Sequence, residues 1–179
     1  MKDLIKNDDI AAVSRAVLRQ KLRADQDAVF ATSLTADAEE EIARRLIESD
    51  KKDEWADFLV GYINHFNLWN STIDFLLDYV ENDNVQKILL ADFNRYGYNE
   101  AQATAICTKA RSEGIDNYSD LLEAVVSKCR VMSPQVLTLL DLLDARYAEI
   151  YGSESRHYAD RYKANAFEYR KKNQLLGFV

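Results

Sequence analysis

Trp55-Ala56-Asp57-Phe58-Leu59-Val60-Gly61-Tyr62-Ile63-Asn64-His65-Phe66 is the stretch whose reading decides the fold. Its large apolar residues, Trp55, Phe58, Leu59, Tyr62, Ile63 and Phe66, fall at i, i+3, i+4, i+7, i+8 and i+11. Side chains at that period stack on one face of a helix, so the segment predicts an amphipathic helix with a complete apolar stripe.

The same period continues on both sides. Upstream, Ile42, Ala43, Leu46 and Ile47 mark the buried side of a helix capped by Thr35, with Asp37, Glu39 and Glu40 in its first turn, where the helix dipole favours acids. Before it, Ile10, Val13, Val17, Leu18, Leu22 and Val29 predict a first helix over roughly 8–31. Downstream, Trp69, Ile73, Leu76, Leu77 and Val80 form a fourth helix, ended by Asn82-Asp83-Asn84. Val85, Ile88, Leu89, Phe93 and Tyr96 form a fifth, stopped by Gly97. Asn99 with Gln102 three residues on has the form of a capping box and opens a sixth helix, which stops at Gly114. Leu121, Leu122, Val125, Val126 and Cys129 lie in a seventh that starts at Asn117 or Ser119. Ser133-Pro134, an N-cap serine before a proline at the first helical position, opens the last region.

No useful stretch alternates with period two, so no strand is expected. One proline and five glycines in 179 residues are few against usual frequencies of roughly 5% and 7%, and few breakers favour helices joined by short polar turns. The apolar fraction of 47% and charged fraction of 30% suit a globular chain that buries a core. The expectation is an all-α fold: an irregular bundle of about eight or nine helices in one domain, 1–179. Residues 1–131 would form a compact bundle and 132–179 a long Tyr-rich basic helix with an apolar tail. Helix starts recur at intervals that bring tetratricopeptide arrays to mind, but the signature residues of that repeat are missing.

Residues 85–131 carry a Gly97-Tyr98 turn between short helices, then Ala103, Ile106 and Leu121-Leu122. Over about a quarter of the chain this resembles the three-helix ubiquitin-associated type of domain, and no binding residue is carried over from it.

Chemistry is hard to find in the sequence. There are two histidines, His65 in the central stripe and His157 near the end. Glu154 with His157 gives one ExxH spacing, whereas di-iron bundles need two copies and two further glutamates. Cys107 and Cys129 are far apart and outside any CxxC pattern, which disfavours a disulfide scaffold or a zinc site. No nucleophile elbow, zinc-protease, phosphate-loop or dinucleotide motif occurs. No metal, cofactor or catalytic residue is therefore expected. Carboxylates such as Glu39-Glu40-Glu41 and Asp53-Glu54-Asp57 read as a solvated outer face.

The N-terminal residues lack an apolar leader, and no run approaches the roughly 18 apolar residues of a membrane span. A cytoplasmic protein with no membrane partner is expected, free or built into a virion or other particle made in the cytoplasm.

Charge is uneven. The formal net charge of −7 divides into +1 over residues 1–36, −9 over 37–92, −2 over 93–152 and +3 over 153–179. The acidic middle disfavours nucleic acid over most of the surface.

One further pattern has geometric content. Tyr147, Tyr151, Tyr158, Tyr162 and Tyr169 are spaced 4, 7, 4 and 7, and Val136 and Leu140 extend the series backwards in phase. An eleven-residue repeat keeps a stripe on one face of a nearly straight helix, which predicts one helix over about 134–173, roughly 60 Å long. Gly152 is the place where it would break.

These features suggest a non-enzymatic helical protein acting through protein–protein contact or self-association, as an assembly, adaptor or virion-type structural component. The candidate interface is Tyr158, Tyr162, Tyr169, Arg161, Arg170, Lys171, Lys172, Leu175, Leu176 and Phe178. Tyrosines suit such a role because they bury large area and keep a polar handle. The alternative is an acidic inhibitor or immunity-type protein that blocks a basic partner with Glu40, Glu41, Asp53, Glu54 and Asp57. A second alternative is nucleic-acid binding by the basic C-terminal helix, whose bases and aromatics alternate.

Overall fold

The computed structural model describes residues 1–27, 34–97, 99–128, 133–152 and 158–175, without the side chains of 20–27 and 173. Among these residues there are ten α-helices, one 3-10 turn and no strand, so the all-α expectation holds. The expected positions Val29, Tyr98, Cys129, Glu154, His157, Leu176 and Phe178, and the side chain of Leu22, lie outside the described set.

The chain forms two compact units, residues 1–92 and 93–179. The division drawn from sequence near residue 131 falls inside the second.

The first unit contains α1 (Lys2–Lys6), α2 (Ile10–Asp27), α3 (Ala36–Glu48), α4 (Lys52–Ile63), α5 (Asn70–Leu77) and most of α6 (Asp83–Tyr96). Helix α3 packs on α1, α4 and α5, and α2 packs on α1 and α4. The stripe that decides the fold is buried at Trp55, Leu59, Tyr62 and Ile63, against a core that includes Ile42, Leu46, Ile73 and Leu76. Along one side of it the rings of Phe58, Tyr62 and Phe66 stack at 6.2 and 5.0 Å between centroids. Thr35 caps α3 as expected, its hydroxyl accepting from the Ala38 N–H.

The first helix expected over roughly 8–31 is realised as α2, and the short helix α1 ahead of it was not expected. Helix α1 stops, and the chain turns through Asp8 at φ 53, a left-handed conformation rarely adopted outside glycine, asparagine and aspartate. The strain is offset by what the turn positions. The Asp8 carboxylate accepts from Arg45 at 3.0 and 2.5 Å and from the Trp55 indole at 2.8 Å, while its carbonyl accepts from Lys51. One turn residue thus ties α1 and α2 to α3 and α4.

The second unit contains the rest of α6, α7 (Glu100–Glu113), the 3-10 turn Asp116–Tyr118, α8 (Ser119–Lys128), α9 (Pro134–Tyr151) and α10 (Tyr158–Leu175). Helix α7 packs on α9, and α10 on both α8 and α9. The punctuation read from sequence is realised. Gly97 and Gly114 follow their helices at φ 75 and 121. The Asn99–Gln102 capping box makes both its bonds, at 2.9 and 3.0 Å. Ser133 caps α9 ahead of Pro134, and its hydroxyl also donates to Glu100 at 2.6 Å.

One expectation is corrected. Residues 134–173 are not a single helix: α9 ends at Tyr151, with Gly152 at φ 84 and its N–H on the Ala148 carbonyl. The Asp144 carboxylate accepts from the Tyr158 and Ala159 N–H groups at 2.8 and 2.9 Å. In a straight helix residues 144 and 158 would lie roughly 21 Å apart, so the chain reverses and α10 runs back along α9. The Tyr162 hydroxyl accordingly accepts from Ser133 N–H at the far end of α9. Asp144 also supplies acceptors for N–H groups that the first turn of α10 cannot satisfy itself.

Candidate functional site

The reversal redistributes the tyrosine series. Tyr158 and Tyr162 are each 1% exposed and belong to the core of their own unit, so in this conformation neither can meet a partner. Tyr147 and Tyr151 stack on each other at 4.5 Å, and Tyr151 donates to Asp116. The five tyrosines therefore do not form one surface.

What remains is the end of α10. Its buried line runs Tyr158, Tyr162, Ala166, at the spacing that keeps residues on one helix face. Tyr169 is next on that face but is 39% exposed. The cover over α10 thins there, and the helix continues for nine residues past Ala166, roughly 13 Å. On the opposite side Phe167 is 64% and Leu175 80% exposed, around Lys171. Among the described residues, Arg170, Lys171 and Lys172 are exposed and make no ion pair. Arg161 is engaged with Glu123 at 2.7 Å, and Asn165 donates to the Val126 carbonyl, so the start of α10 is fastened to α8.

The acidic candidates lie in the first unit. Asp53, Glu54 and Asp57 are exposed, as expected. Asp53 accepts from Asn84, and Asp57 pairs with Lys87 at 3.1 Å. Glu40 pairs with Arg44 at 2.6 Å, and both Glu40 and Glu41 are half-buried. Asp53, Glu81 and Asp83, with Lys52, Asn82 and Asn84, line a cleft of about 380 Å³.

The reading of Glu39 as part of a solvated face is wrong. Glu39 is 0% exposed, because it shares the buried side of α3 with Ile42, Ala43 and Leu46. Its carboxylate accepts from the Trp69 N–H at 2.7 Å, and one residue earlier the Leu68 N–H donates to Asp92, which is 2% exposed. Trp69 also donates its indole N–H to the Leu34 carbonyl, and the Leu34 N–H donates to the Tyr62 hydroxyl. The two carboxyls thus hold the connector that leads into α5. Burial pushes Glu39 up to about 7, against the opposing pull of the Trp69 N–H and the Thr72 and Tyr62 hydroxyls, and the Asp92 charge adds to the rise. Burial pushes Asp92 up to about 6, opposed by the Leu68 N–H. Sequence reasoning missed both residues, although a signal existed: each is a carboxylate on an apolar stripe, Glu39 with Ile42 and Leu46, Asp92 with Ile88 and Leu89.

Raised carboxyl values of this kind also occur in active sites. Here both groups are sealed from solvent, which leaves a substrate no approach in this conformation. Among the described residues, no group of three or more His, Cys, Asp or Glu is arranged to hold a metal ion, and no helix is long and apolar enough to cross a membrane. Cys107 is fully buried. No protein-family model, curated protein or solved structure matches this chain, so the likeness of residues 85–131 to ubiquitin-associated domains carries no function further.

Proposed function

We propose that this protein works without catalysis, through protein–protein contact made by the free end of α10, as an assembly, adaptor or virion-type structural component in the cytoplasm. The observation that carries the reading is the uncovered run past Ala166: Tyr169 on the packing face, Phe167 and Leu175 opposite, and Arg170, Lys171 and Lys172 between them. Exposed aromatic and aliphatic side chains on two sides of one helix, with an arginine among the charges between them, support a contact role over that of a solvated helix end.

The occupant we favour is a second copy, because the chain carries its own complement: residues 37–92 hold a net charge of −9 and expose Asp53, Glu54 and Asp57. Such a contact joins two different surfaces, so repetition gives a ring or an open filament. Sedimentation and light scattering of the whole chain test it. The wild type should associate at low salt and dissociate as ionic strength rises, while Tyr169→Ala combined with Lys171→Glu and Lys172→Glu should stay monomeric and folded. Wild type that is monomeric at every concentration and salt overturns self-association.

A second reading rests on the acidic cleft at Asp53, Glu81 and Asp83, which would cover a basic surface on another protein as an inhibitor does. Its separate signature is a complex lost with Asp53→Asn and Glu54→Gln but indifferent to the α10 substitutions.

A further inference from the structure

Glu39 and Asp92 stand out because the first unit places two sealed acids on adjacent backbone groups of one short connector. Asp92 holds the Leu68 N–H at 2.9 Å and Glu39 the Trp69 N–H at 2.7 Å. Neither Glu39 Oε1 nor Thr72 Oγ1, both buried, completes a hydrogen bond of acceptable geometry. An ionised carboxylate with an unsatisfied buried oxygen is costly, whereas a neutral acid can turn a proton toward a neighbouring oxygen.

We propose that Glu39 and Asp92 form a proton-operated latch: with these acids neutral the connector carrying Leu68 and Trp69 stays docked, and with both ionised it lifts and uncovers Leu34 and Leu68.

The groups facing Glu39 decide the direction. From α4 the Tyr62 hydroxyl and from α5 Thr72 favour its charged form, as does the Trp69 N–H at the start of α5. From α6 the Asp92 carboxyl disfavours it, and the ammonium of Lys2, on α1, is engaged by Asp37. Burial is the largest influence and outweighs the favourable bonds, so ionisation is relieved by letting water in. The connector is the cheapest part to move. It lies between two helices, and Trp69 is already 47% exposed, whereas α3 is packed on three neighbours. Lifting it breaks the Trp69 indole bond to the Leu34 carbonyl, which exposes two leucines now only 3% accessible. The proton leaves to solvent and no covalent change is involved. The latch does not depend on the role proposed for α10.

The test is amide hydrogen exchange on the full chain, followed by NMR at about pH 5.5 and about pH 8 and corrected for intrinsic rates. Protection at the Leu68 and Trp69 amides should fall by about tenfold or more over this range, while α10 amides such as Ala166 hold theirs. The double variant Glu39→Gln, Asp92→Asn keeps an acceptor for each N–H and should abolish the fall. Unchanged wild-type protection overturns the latch, and so does a fall that persists in the double variant. Should that variant not fold, the side-chain carboxyl carbons of the wild type decide: Glu39 titrating in the ordinary range below about pH 5 overturns the proposal, and Glu39 titrating together with loss of protection supports it.

Discussion

Asp8 shows how much one turn residue can carry. Its carboxylate is held well below the usual range, first by the Arg45 guanidinium and then by the Trp55 indole and Ser49, which together outweigh the effect of burial. Removing it leaves Arg45 and the Trp55 N–H without their acceptor and keeps the left-handed backbone. Asp8→Ala should therefore destabilise the first unit by about 2–4 kcal/mol, whereas Asp8→Asn, which tolerates that backbone and can still accept one bond, should cost about 1–2 kcal/mol. Urea unfolding followed by tryptophan emission would rank the two, and equal losses would contradict the role given to the backbone. None of this was legible in the sequence, because a single left-handed residue breaks no periodicity. Glu39 and Asp92 were half legible: their phase on the stripes was visible, but which neighbours seal a stripe is decided by tertiary packing.

At the level of elements, the caps were the most readable feature, because Thr35, Asn99 with Gln102, Ser133 with Pro134, and Gly97 and Gly114 satisfy groups within a few residues of themselves. The reversal after Gly152 was not readable. The tyrosine phase survives across it because both helices carry their tyrosines at helical spacing, so an eleven-residue repeat cannot distinguish continuity from a hairpin. What fixes the hairpin is Asp144, fourteen residues before the N–H group it holds. Asp144→Ala should cost about 1–2 kcal/mol, as the loss of an N-cap does, and should fray the first turn of α10 while leaving α9 helical. Amide exchange at Tyr158 and Ala159 reads this directly, and unchanged protection there would contradict the cap. Replacing Gly152 by alanine meets no atom but forces a side chain into φ 84, for a loss of about 1 kcal/mol.

For the whole molecule, the two units should answer pH differently. In the first, Asp8 supplies stability that is fully present above its unfolded value near 3.8 and is lost as pH falls through its depressed folded value. Glu39 works the other way: its folded value near 7 lies above the unfolded 4.5, so its contribution is complete below about 4.5 and is lost as pH rises through 7. A shift of that size corresponds to roughly 3 kcal/mol, and Asp92 acts in the same direction with its value near 6. The first unit should accordingly be most stable at mildly acidic pH and weaken toward pH 8. Both tryptophans, Trp55 and Trp69, belong to this unit, so tryptophan emission reports it alone, whereas far-ultraviolet circular dichroism reports the helices of both. Denaturant unfolding at about pH 5 and about pH 8 should move the emission midpoint down as pH rises, and leave a dichroism component that does not move with it. Glu39→Gln should flatten most of the emission shift. Emission and dichroism curves that coincide at both pH values would mean that the units unfold as one, and the pH response would then belong to the molecule rather than to the carboxyls of its first half.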